Sequence, residues 1–134
     1  MDHKILKRWL TGFEPDNQEF CSYLQNFPEA LVECTMYKGL SFNSKPSGDW
    51  LEEKTLSSWT NNLDVAEYFA SNGRFGIVIS TTQTGYSIPK ILESIIKKEN
   101  ANLPDFIRYY SFKRESEIVA PIRPKQCKIR FCKA

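Results

Sequence analysis

LSSWTNNLDVAEYFA, Leu56 to Ala70, changes its hydrophobic period half-way along. With Thr55 in front, TLSSW has the hydroxyl and aromatic content of a brief strand. The remainder, extended to NNLDVAEYFASNG, reads as a helix: Asn61 or Asn62 caps its start, Leu63, Ala66 and Phe69 recur on one side, and Gly73 ends it. A serine-rich strand end therefore runs directly into a capped helix.

Upstream, residues 3 to 11 place Ile5, Leu6, Trp9 and Leu10 at helical spacing, with Gly12 as C-cap. DNQEFCSYLQNF puts Asp16 at an N-cap with Glu19 three residues on, a capping box, before Phe20, Tyr23 and Leu24 form the apolar face of a second helix. VECTMYKGLSF, Val32 to Phe42, reads as a strand broken by Gly39, and SKPSGDW reads as a loop. Downstream, FGIVIS (75 to 80) is expected to be a buried strand, followed by a turn near Thr84 and Gly85. Pro89 is placed to start a helix through ILESIIKK with Ile91, Leu92, Ile95 and Ile96 inward. Residues 100 to 113 are aromatic, interrupted by Pro104, and expected to be irregular. SEIVAPI and CKIRF read as a pair of strands joined by a turn at Arg123 to Lys125. Helices and strands mix without regular βαβ alternation, which predicts an α+β fold with a largely antiparallel sheet.

A chain of 134 residues is one domain's worth, with a helical part over about 1–30 and a sheet core over about 31–134. Apolar residues at 41% and charged residues at 25% exclude a disordered chain, and no apolar run reaches bilayer length, so no membrane partner is expected. MDHKILKRWLTGF carries basic residues inside its apolar stretch and lacks a small-residue cleavage site, so it does not read as a signal peptide, and a cytoplasmic location is expected. Cys21, Cys34, Cys127 and Cys132 form no CxxC pair and His3 is the only histidine, which argues against a metal site and against a Ser-His or Cys-His nucleophile. The thiols are expected to be free and mostly buried. After Glu117 the charges are all basic (Arg123, Lys125, Lys128, Arg130, Lys133), a pattern suited to a solvated strand face or to a phosphate-bearing partner.

ESEIVAP, Glu115 to Pro121, sets two acids either side of one serine. On a strand Glu115 and Glu117 point the same way, with Val119 next on that face. Like charges so placed repel unless water, a cation or a reaction engages them.

YKGLSF (37 to 42), LSSWTNNLDVAEYFA (56 to 70) and ESEIVAP (115 to 121) resemble, in order and spacing, the three signature regions of the ADP-ribosyltransferase superfamily. The branch is the one with an Arg-Ser-Glu triad: an aromatic-Arg-Gly strand, a Ser-x-Ser strand running into a VAxxFA helix, and a Glu-x-Glu strand. The resemblance implies a mixed, largely antiparallel split sheet flanked by helices, with NAD as substrate and no metal. It implies that Glu117 stabilises positive charge at the ribose as nicotinamide leaves, that Glu115 orients or deprotonates the incoming nucleophile, and that Ser58 braces Glu117 and the ribose. Thr60 stands where the family has its second serine. Tyr37, Gly39, Lys38, Ser58, Thr60 and Phe69 would hold NAD, with Trp59 a further aromatic wall. Lys38 replaces the family's arginine, keeping the charge and losing the planar fork.

The loop before ESE, which in the family contacts the acceptor, contains Tyr109, Tyr110 and Phe112 among basic residues. A Glu at position 115 resembles the arginine-modifying pattern, while aromatics interleaved with basic residues also suit single-stranded nucleic acid. The expected activity is mono-ADP-ribosylation of a protein arginine or a nucleic-acid base, in the setting of a bacterial or phage toxin or effector with an antitoxin as candidate partner. The rival reading is a catalytically degenerate module that binds a nucleotide or a protein, for which Lys38 is the motif.

Overall fold

The structure, a computed structural model, describes residues 2–99 and 116–133. The first two periodic stretches fold as α1 (Lys4–Leu10) and α2 (Asn17–Leu24). Gly12 closes α1 at φ +90°, a left-handed conformation that favours glycine, and its N–H donates to the Trp9 carbonyl. The Asp16 side chain accepts from the Glu19 backbone N–H at 3.0 Å, the first half of the capping box.

There follow β1 (Leu31–Phe42), β2 (Lys54–Thr60), α3 (Leu63–Ala70), β3 (Phe75–Ser87), α4 (Ile88–Glu99), β4 (Glu117–Ile122) and β5 (Lys128–Lys133). Each strand pairing is antiparallel. β1 lies along β3 from Leu31↔Tyr86 to Phe42↔Phe75, β2 pairs with β4, and β4 meets the end of β3 at Tyr86 and Ser87. A single pairing, Tyr37↔Thr60, joins β1 to β2, so β1, β2, β4 and β3 close a ring, with β5 on the β3 edge. The architecture is α+β with an antiparallel sheet.

Several local expectations are corrected. Gly39 does not break β1, and the turn expected near Thr84 and Gly85 is absent because β3 runs on to Ser87 and passes directly into α4. SEIVAPI and CKIRF both form strands, joined by a 3-10 turn at Pro124–Gln126, yet they do not pair with each other: β4 and β5 share one edge of β3. α3 stops at Ala70 rather than Gly73, and its buried residues are Val65, Ala66 and Ala70. The four cysteines are free and partly exposed rather than buried. Residues 100–115, including the segment expected to be irregular, lie outside the described residues.

The glycine at 39 is explained by packing. A Cβ there would lie 1.8 Å from the Ala66 carbonyl oxygen, and one on Gly76 would lie 2.3 Å from that of Ala70. These two glycines let α3 lie directly on β1 and β3, where Ala66, Ala70 and Val78 form a small apolar cluster. Met36, Trp59, Ile77, Ile79, Ile118 and Ala120 form a second cluster from the strands of the ring. The third joins Leu6, Leu10, Phe20, Leu24, Ile91, Leu92 and Ile95 of the helices to Val119 of β4. Val119 thus faces the helices while Ile118 faces the ring, the alternation expected of a strand.

Candidate functional site

Glu117 opens β4 opposite Thr60, the last residue of β2. Side chains two apart on a strand share a face, so Ser58 and Thr60 of β2 stand beside Glu117 and Val119 of β4. Ser58 Oγ donates to Glu117 Oε2 at 2.6 Å, and the Trp9 indole N–H, from α1, donates to the same oxygen at 3.0 Å. Glu117 is only 2% exposed. An acidic side chain that far from water persists because polar donors replace the lost hydration.

The junction around it is tied by backbone and hydroxyl bonds. Thr60 Oγ1 lies 2.9 Å from Ser116 Oγ and accepts from the Asn62 N–H at 3.1 Å. The Asn61 N–H donates to the Ser116 carbonyl at 3.3 Å. Asn62 is the cap of α3, its side chain accepting from the Asp64 N–H at 3.0 Å. The end of β2, the start of α3 and the residue preceding Glu117 are therefore one hydrogen-bonded unit. Thr60 braces that unit.

Lys38 comes from β1, and its Nζ donates to the Ser58 carbonyl at 2.9 Å. Two clefts meet at this contact. Tyr37, Lys38, Gly39, Ser58, Thr60 and Phe69 all line the first, of about 140 Å³, together with Trp59, Val65 and Ala66. The second, of about 260 Å³, is bordered by Glu117, Lys38 and Ser58, and also by Trp9, Gly12, Phe13, Glu14, Lys54, Leu56 and Ser57. Trp59 touches the first cleft, but it is 2% exposed and its N–H donates to the Ala120 carbonyl at 3.2 Å, so most of the ring is core.

Residues expected to act on one substrate thus come together from β1, β2, α3 and β4. Sequence reasoning read Trp9 as part of a helix face and missed its contact with Glu117, 108 residues away. It also missed Lys54 and Phe13 at the second cleft, for which short motifs give no signal. Glu115, Tyr109, Tyr110 and Phe112 lie outside the described residues. His3 borders neither cleft: its ring bonds the Tyr23 hydroxyl at 2.7 Å and pairs with Glu99, tying the N-terminus to α4. Burial, with Glu99 and Asp2 nearby, pushes the Tyr23 phenol well above its ordinary range, while the His3 ring holds the Glu99 carboxyl below its own. Among the described residues no group of three or more His, Cys, Asp or Glu is placed to hold a metal ion, and no helix is long and apolar enough to cross a membrane.

A scan against protein-family models finds no match, and searches of curated proteins and of solved structures find no similar chain.

Proposed function

We propose that this chain is an NAD-dependent mono-ADP-ribosyltransferase, with an ADP-ribosyltransferase-like split sheet and Lys38 in the place of the family's arginine. The observation that carries the reading is the Ser58–Glu117 hydrogen bond, partly buried beside two clefts that Lys38 also borders. The two clefts, of about 140 and 260 Å³, share Lys38 and Ser58 in their linings.

As the bond between the ribose and nicotinamide stretches, positive charge builds at the anomeric carbon. The Glu117 carboxylate offsets that charge and accepts from a ribose hydroxyl, with Ser58 holding its orientation. Tyr37 and Phe69 offer aromatic faces to the flat cationic ring. Lys38 supplies a point positive charge for the phosphates. Glu115 aligns the attacking nucleophile, and Tyr109, Tyr110 and Phe112 meet the acceptor, a protein arginine or a nucleic-acid base. Such a domain suits a bacterial or phage toxin or effector acting in the cytoplasm, with an antitoxin as partner.

One observation favours a second reading, a degenerate module that binds a nucleotide or protein without turnover: the Lys38 ammonium is engaged by the Ser58 carbonyl inside the site wall. Incubation of cell extract with labelled NAD and the purified protein separates the two. Label on protein or nucleic acid that disappears with Glu117→Gln supports the transferase. Binding of NAD without transfer supports the module.

A further inference from the structure

The Glu117 oxygen that accepts from Ser58 has a second donor, and it comes from outside the sheet. Trp9 sits on α1, one turn before the Gly12 cap, and its indole N–H reaches Glu117 Oε2 at 3.0 Å. Its ring is fixed from behind by Phe20 of α2, at 4.9 Å between centroids, and it packs on the helical core cluster. An aromatic ring clamped between a helix pair and an acidic side chain has little rotamer freedom, so the direction of its N–H is set by the packing of α1 and α2. The two donors fall on one carboxyl oxygen, Ser58 from β2 and Trp9 from α1, which fixes the carboxyl group about its terminal torsion. That torsion is otherwise broad. Trp9 also lines the cleft that Glu117 borders.

We infer that Trp9 is a positioning residue for Glu117, and that α1 is thereby part of the reaction centre rather than a cover for the sheet. The inference rests on the transferase reading for its kinetic consequence and on the Trp9–Glu117 contact alone for its structural one. Phenylalanine at position 9 keeps an aromatic ring against Phe20 and removes the donor. A hydrogen bond to a charged group is worth enough that Trp9→Phe is expected to lower kcat for nicotinamide release about ten- to a hundredfold. KM for NAD should move less than kcat, because phenylalanine keeps an aromatic wall at the second cleft and the first does not include Trp9.

The test joins kinetics to a signal that packing alone does not move. In the ¹H–¹⁵N spectrum of the intact protein, the Trp9 indole resonance is followed with pH in the wild type and in Glu117→Gln. A resonance that follows ionisation of Glu117, and is displaced and pH-independent in Glu117→Gln, establishes the positioning contact. A resonance indifferent to Glu117→Gln overturns it. Where Trp9→Phe fails to fold, benzothienylalanine at position 9 keeps the bicyclic ring and removes only the N–H. Wild-type kcat in the folded variant overturns the proposal. If the wild-type protein releases no nicotinamide, the transferase reading falls by itself, and the titration still decides whether Trp9 holds Glu117.

Discussion

Glu117 is 2% exposed, and its Oε2 accepts from the Ser58 hydroxyl and the Trp9 indole, donors that stand in for the water it has lost. Glu117→Gln is nearly isosteric and keeps an oxygen for Ser58 and Trp9, so thermal denaturation should shift little, while on the proposed transferase reading turnover should fall by about 10²–10⁴-fold. On the proposed transferase reading, Lys38→Arg supplies a planar fork and is expected to lower KM for NAD several-fold; an unchanged KM would assign position 38 to bracing the Ser58 carbonyl. Ser58 and Glu117 stood out in the sequence because each lies in a short local pattern, and the fold brings their side chains into contact. Trp9 did not, since at helical spacing an indole reads as core, and only the fold brings its N–H to a carboxyl 108 residues away.

Among the elements, α3 shows what local patterns carry and what they miss. Its cap follows from sequence, but its buried face is Val65, Ala66 and Ala70 rather than Leu63, Ala66 and Phe69, and the closeness of its approach depends on glycines in strands it does not belong to. Gly39→Ala would drive a methyl into the Ala66 carbonyl, so it is expected to cost about 1–3 kcal/mol or more, read as a lower urea midpoint, and to widen the first cleft. Gly39 and Gly85 both read as breaks from composition, because glycine punctuates loops more often than strands. Each is instead a place where a neighbour sits too close for a side chain, Ile118 Cγ2 lying 2.6 Å from a Cβ built on Gly85. The start of α4 was legible from Pro89, and its charged side has a measurable consequence. Lys98 and Ser94 hydrogen-bond the Glu29 carboxylate and pull it from 4.5 down to about 2. A group whose folded value is depressed binds its proton more readily when unfolded, so its contribution is complete above about pH 4.5 and is lost as the pH falls toward about 2. Glu29→Gln should flatten that stretch of the stability profile and leave the profile above it parallel to wild type. Partial exposure of this pair keeps the effect small.

At the scale of the whole molecule, the α+β class was legible from the mixture of periods, whereas the closure of the ring was not. One pairing, Tyr37↔Thr60, joins β1 to β2, and no sequence rule singles it out. That pairing nevertheless sets Lys38 beside Ser58, just as β2 against β4 sets Ser58 beside Glu117. The ring, α3 and α1 together place one acidic side chain at the border of a cleft with a hydroxyl, an indole and an ammonium around it. The most direct test of the transferase account is nicotinamide release from NAD by the purified protein, alone and with cell extract, beside Glu117→Gln. Release by the wild type that vanishes in the variant is the predicted result. No release in either setting, or release that survives Glu117→Gln, would contradict it.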